Sequence, residues 1–238
     1  MLLYYVRHGD PIYDPDSLTE QGQLQALALS KRFKKTGLDE IYASTSNRAI
    51  LTATPTAKAL DKEIKLVEWA YEGKAWEELA IKKANGTWSW CFFGNEYKRL
   101  FMSDEVYSLG KKWNTYHAFK GTNLEKGLAR VDNAVDEFTL SLGFKHDREK
   151  GCYKLINGNN KKVALFAHQG FSFAFMSSLL DIPLPIFATR FDIQHSGVCV
   201  IYFDENEPII YPKILQYSND SHLYKEDLST LYNYSLDV

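Results

Sequence analysis

An unbroken apolar run, Leu2 to Val6, stops on Arg7-His8-Gly9, and a second, within Lys161 to Ala167, stops on His168-Gln169-Gly170. A short apolar run bounded in this way reads as a strand buried on both faces. Two such strands, each delivering a histidine and then a glycine to its carboxyl end, restrict the chain to sheet folds covered by helices. In open sheets of that kind ligands bind at the carboxyl edge, where both histidines should meet.

The intervening pattern agrees. Thr19 to Lys35 has helical spacing through Leu24, Leu27, Ala28 and Phe33, while Glu40 to Ala43 and Ile64 to Val67 read as further strands. Asn47 is placed to cap a helix running towards Leu60, which Pro55 is expected to kink or end. Leu124 to Leu142 has the pattern of a long amphipathic helix, and Phe171 to Leu180 that of a helix with an almost wholly apolar face. Gly197 to Phe203 and Ile209 to Gln216 flank the turn-forming Asp204 to Pro208, which predicts an antiparallel pair. The alternation predicts an α/β fold, a three-layer α/β/α sandwich with a mostly parallel sheet.

The pattern breaks down at about 69–121 into short aromatic-rich helical pieces that hold all five tryptophans, Trp69, Trp76, Trp88, Trp90 and Trp113. This stretch is expected to be an inserted helical cap, its large side chains either making a core or lining a substrate mouth. The chain of 238 residues, 45% hydrophobic, is long enough for one large core, so 1–238 is read as a single domain with that insertion.

A formal net charge of −2 gives no field that would gather nucleic acid or an anionic membrane, so any anion site must be local. The apolar start is far shorter than the about 20 residues of a membrane span, and a cytoplasmic protein is expected. Cys91, Cys152 and Cys199 are odd in number and far apart, which suits packing better than a disulfide framework or a zinc site. Nothing in the sequence specifies an oligomeric state.

Arg7 offers a planar fork of donors that matches a phosphoryl group, and Gly9 lets the backbone approach a ligand closely. His8 between them can act as a nucleophile. Arg48, in Ser44-Thr45-Ser46-Asn47-Arg48-Ala49, projects from a helix start towards the same edge, where free N–H groups favour an anion. Each of these alone also fits something ordinary: a polar turn, a solvated arginine, a core histidine. Together they point to one anion site. No Asp, Glu or His cluster shows metal-ligand spacing, so neither a metal nor another cofactor is expected.

Taken in order, Arg7-His8-Gly9, the segment Leu18-Thr19-Glu20-Gln21-Gly22 to Gln25-Ala26, the turn from Ser44 to Arg48-Ala49 and His168-x-Gly170 resemble the histidine phosphatase (phosphoglycerate mutase-like) superfamily. The resemblance runs from Leu2 to Leu180. It implies a nucleophilic His8, a phosphate pocket of Arg7, Arg48 and His168 beside Gly9, and an acidic proton donor after the third strand. Glu68 stands where such families carry that donor, and Glu72, four residues on, is the alternative. Glu77 and Glu78 read as the solvated face of a cap helix.

The activity implied is metal-independent hydrolysis of a small-molecule phosphate monoester through a phosphohistidine. A phosphoglycerate mutase-type isomerase is the alternative. Mutases of this family usually carry a longer loop with further basic residues after the Arg-His-Gly, whereas Asp10, Asp14 and Asp16 fall in a short segment that would repel a second phosphate. A non-catalytic phosphate-binding module is the third reading. His195, before a strand, fits a turn or the border of the pocket, and His222 reads as structural or solvated.

Overall fold

Strands β1 (Leu2–Arg7), β2 (Glu40–Ser44), β3 (Ile64–Val67), β4 (Lys162–Ala167), β5 (Val198–Tyr202) and β6 (Lys213–Asn219) form one sheet in the order β6-β5-β1-β4-β2-β3. The structure, a computed structural model, describes residues 1–234. Strands β1, β4, β2 and β3 run parallel, β5 pairs antiparallel with β1, and β6 pairs antiparallel with β5. The central pair β1 and β4 is in register from Leu2 opposite Lys162 to Arg7 opposite Ala167. His8 and His168 therefore leave the sheet side by side, as their positions in sequence predict.

Side chains alternate across a strand, so one sheet builds two cores. Tyr4, Val6, Ala164, Phe166, Val198 and Val200 face one way, against Leu29 and Phe33 of α1 (Glu20–Thr36) and Ala53 and Ala57 of α2 (Asn47–Leu60). Leu3, Tyr5, Val163, Leu165, Cys199 and Ile201 face the other way. That face is covered by α3 (Glu72–Leu79), α4 (Leu124–Ser141) and α5 (Gln169–Leu180), which bury Leu79, Val131, Val135, Phe138, Phe171 and Phe175. The result is the mixed α/β fold expected, with a mostly parallel sheet between helical layers.

Local chemistry sets the ends of α1. Thr19 caps it by accepting from Gly22 N at 3.0 Å, and Gly37 closes it at φ +74° with its N–H on Phe33 O. Its buried stripe differs from the one the spacing suggests. Leu24 and Leu27 are exposed, and Gln25, Ala26 and Leu29 lie inside beside Ala28 and Phe33.

Three local expectations are corrected. Ser46, not Asn47, is the capping position of α2, because Asn47 is drawn away: its N and Nδ2 bond Asp16. Helix α2 runs through Pro55 to Leu60 without ending, its face against α1 held by Ala53 and Ala57. Ile209–Ile210 does not pair with β5. It joins Cys152–Leu155 in a small separate sheet, and β5 takes Lys213–Asn219 as its partner.

Between β3 and α4 the chain makes α3, a hairpin of Ala80–Lys82 with Trp88–Trp90, and short helices at Asn95–Phe101 and Asp104–Tyr107. Its buried aromatics Phe92, Phe101, Trp113 and Phe119 belong to the same cluster as α4 and α5, with Phe92 edge-on to Phe173 at 4.6 Å. Trp113 is core, whereas Trp76 and Trp90 line a cleft. The three cysteines are free and buried, and among the described residues no helix is long and apolar enough to cross a membrane.

Candidate active site

At the carboxyl edge of β1 the backbone of His8 is clamped on both sides, its N–H donating to Ala167 O and its carbonyl accepting from Ser196 N. The next two residues are held from the helices below. Gly9 N donates to Thr52 Oγ1 at 2.9 Å and Asp10 N to Gln25 Oε1 at 2.8 Å. A side chain on Gly9 would put its Cβ 2.6 Å from Gly22 O, so the turn lies directly on the first turn of α1.

The His8 ring is buried, with Nδ1 2.7 Å from Gly9 O. A carbonyl only accepts, so Nδ1 carries the proton and Nε2 is left with a free lone pair. Burial first, then the nearby His168, Arg7 and Arg48, push the His8 pKa well below the ordinary histidine value. The ring is thus neutral at neutral pH, with Nε2 unprotonated.

His168 follows β4 and starts α5, its ring 5.2 Å from that of His8. Ser44 at the end of β2 accepts from Ser46 N and stands 2.8 Å from His168 Nε2, so the hydroxyl is free to donate there. Nδ1 is buried, makes no hydrogen bond and faces the acceptor Glu72 Oε2 at 3.5 Å, which favours the proton on Nδ1. Burial drives the His168 pKa down to about 4.

Arg7 spends three of its donors on the far side. Nη1 donates to Ile193 O at 2.8 Å and to Asn233 Oδ1 at 2.6 Å, and Nη2 lies 2.6 Å from His195 Nε2. A guanidinium only donates, so His195 accepts and keeps its proton on Nδ1, 3.5 Å from Asp10 Oδ1. Burial and Arg7 lower the His195 pKa to about 3. Arg48 reaches the cleft from the first turn of α2, with Nη1 on Asp16 Oδ1 at 2.8 Å and Nη2 on Glu72 Oε2 at 2.9 Å. Burial opposes its charge, but Asp16 and Glu72 outweigh this and raise its pKa. In both arginines Nε is buried without a partner.

Glu72 opens α3 and closes the ring of groups. Its Oε1 accepts from Gly170 N at 2.9 Å, at the N-terminus of α5, and its Oε2 lies 3.5 Å from His168 Nδ1. Arg7, His8, Arg48 and Glu72 thus line one cavity of about 390 Å³, whose outer walls are Tyr13, Trp76, Trp90 and Gln169.

The family model for the histidine phosphatase superfamily (branch 1) matches residues 3–212. The chain belongs to this superfamily. Among curated proteins no sequence matches it. Solved structures do resemble this chain in fold. A phosphoserine phosphatase variant from Entamoeba histolytica in complex with phosphoserine is 18% identical at a TM-score of 0.58, covering 93% of this chain and 98% of that one. A mycobacterial glucosyl-3-phosphoglycerate phosphatase with inorganic phosphate is 17% identical at a TM-score of 0.59 over 93% and 98% of the two chains. The α-ribazole phosphatase of Shigella flexneri is 15% identical at 0.58 over 92% and 97%.

Of the residues singled out in the sequence, Arg7, His8, Gly9, Arg48, His168 and Glu72 come together in the folded chain and Glu68 does not. Glu68 is exposed and accepts from Thr45 Oγ1 at 2.8 Å, outside the cavity. The turn Glu68–Ala70 rotates the chain, so that the carboxylate one step later points inward. Glu78 is not a solvated residue either: it is buried and paired with Arg130 Nε at 2.6 Å. His222 is buried on Ser196 Oγ at 3.0 Å, and His195 borders the site through Arg7. Asn233 and Asp16 carry no sequence signal for their contacts, since each partner is distant along the chain. His8, Glu72 and His168 also bring possible metal-ligand atoms within 4.8 Å of one another, a cluster that spacing along the sequence does not reveal. Two guanidinium groups share that space and favour an anion over a cation there.

Proposed function

We propose that this histidine phosphatase hydrolyses a small-molecule phosphate monoester, without a metal, through a phosphohistidine on His8. One observation carries the reading: three buried nitrogens, Arg7 Nε, Arg48 Nε and His168 Nδ1, make no hydrogen bond, and the neighbouring His8 ring has its Nε2 free. Buried donors left unmatched are costly, and oxygens of one phosphoryl group would satisfy all three. That three solved relatives in fold are phosphatases of small phosphorylated compounds supports the same class of substrate.

In the first step His8 Nε2 attacks phosphorus and the bond from phosphorus to the ester oxygen breaks. The arginines and His168 hold the charge on the equatorial oxygens, and the Gly9 carbonyl stabilises the positive charge that grows on the His8 ring. Glu72 supplies the proton that the departing oxygen needs. In the second step Glu72, now a carboxylate, takes a proton from water as the water oxygen attacks phosphorus. The bond from phosphorus to Nε2 breaks, releasing inorganic phosphate and neutral His8.

Hydrolysis is favoured over isomerisation because, among the described residues, no cation besides Arg7 and Arg48 lines the cavity to retain a second phosphoryl group. The hairpin after Gly9 brings Asp16 onto Arg48 instead. Replacement His8→Ala should lower kcat for phosphate esters by about 10³-fold or more, with the far-ultraviolet circular dichroism unchanged. Activity retained within about tenfold of the parent would remove His8 from this role.

A further inference from the structure

Building on the phosphatase reading, we infer that the alcohol released by this enzyme is uncharged and carries a ring, sugar or arene, that seats between Trp76, Trp90 and Tyr13. Trp76 and Trp90 meet edge to face at 5.1 Å on the wall of the cavity that holds His8. Trp76 is 37% exposed and Tyr13 68% exposed, so large apolar faces stand open at the mouth of a polar pocket. Such surface is unfavourable in water unless something covers it.

The wall is fixed rather than draped. Trp90 stacks on the buried Phe92 at 5.3 Å, and its six-membered ring lies where a Cβ on Gly170 would come within 2.3 Å. Gly170 is also the residue whose N–H holds Glu72, two positions after His168. One glycine thus sets the distance from the aromatic wall to the proton donor and the phosphoryl site. Only a residue without a side chain allows this approach.

Charge excludes the alternatives. The cations on the cavity wall are Arg7 and Arg48, and both are engaged, Arg48 with two carboxylates and Arg7 with three acceptors. A carboxylate or second phosphate on the leaving group would lose its water against indole faces and, among the described residues, meet no free cation on the cavity wall. A ring presents a flat face to the indoles and keeps its hydroxyl or heteroatom for Gln169, whose amide is steadied by Asp192.

The test compares kcat/KM for benzyl phosphate, glucose 6-phosphate, ethyl phosphate and 3-phosphoglycerate in the parent and in Trp76→Ala and Trp90→Ala. At least one ring ester should exceed ethyl phosphate by about tenfold or more, with 3-phosphoglycerate the poorest of the four. In Trp76→Ala, where a half-exposed side chain is lost and the core is untouched, the ratio of ring ester to ethyl phosphate should fall to within about threefold of unity. Turnover without a ring preference, a preference for 3-phosphoglycerate, or an unchanged ratio in both tryptophan variants overturns the inference and leaves the phosphatase reading standing. If the parent turns over none of the four and does not bind orthovanadate, the phosphatase reading itself falls and this inference with it.

Discussion

Glu68 and Glu72 are one helical turn apart in sequence and do different things in space. Glu68 answers Thr45 at the surface, whereas Glu72 is held by Arg48 and Gly170 on the cavity that His8 lines. Glu72→Gln keeps the shape and removes the transferable proton, so kcat for an alkyl phosphate should drop by about 10²- to 10⁴-fold. The loss should be much smaller for an aryl ester with an acidic leaving group, and Glu68→Gln should stay within about twofold of the parent. Equal effects of the two substitutions on the alkyl ester would refute the assignment. Arg7, His8, Arg48 and His168 were legible in the sequence because each sits where a strand ends or a helix begins, which fixes its direction. The choice between the two glutamates was not, since it depends on how far one short turn rotates the chain. The Asn233 contact with Arg7 spans 226 positions, and no local pattern reports it.

Among the elements, the turn after β1 and the start of α1 are the most tightly fitted. Gly9 and Gly22 place backbone on backbone, and a Cβ on Gly22 would stand 2.2 Å from Asp10 O. Alanine normally gains about 1 kcal/mol over glycine inside a helix. Here the forced shift should outweigh that gain, so Gly22→Ala should lower stability by about 1–3 kcal/mol in denaturant melts and reduce activity by moving His8. A stabilised Gly22→Ala with full activity would show that the turn tolerates displacement. Strands β1 and β4 were readable because burial on both faces leaves an unbroken apolar run. Strand β6 was placed too early because its residues are mostly half-exposed, so nothing in its pattern separates it from the neighbouring Ile209–Ile210. In α1 the exposed Leu24 and Leu27 mimic a core stripe that polar Gln25 in fact occupies, since its side chain is needed by Asp10.

Over the whole molecule, gathering an anion pocket means burying neutral histidines. His8 lies well below the ordinary value, His168 and His222 near about 4 and His195 near about 3, in each case chiefly through burial. The unfolded chain takes up these protons near about 6.5 and the native chain does not, so the unfolded state binds more protons as pH falls. Their contribution to stability is complete above that value and is lost as pH falls towards about 4. The melting temperature of the ligand-free protein should therefore decline from pH 7 to pH 5, before lowered carboxylates such as Glu40, near about 2, begin to protonate. A melting temperature that is flat or rising across that interval would contradict the buried neutral imidazoles. The claim on which the account rests is tested most directly by quenching the enzyme, or Glu72→Gln to slow the second step, in alkali during turnover of a radiolabelled ester. The account predicts a phosphoryl group on His8 that survives base and is released by acid, and none on His8→Ala. Label on another residue, or turnover with no trapped label in either protein, would contradict it.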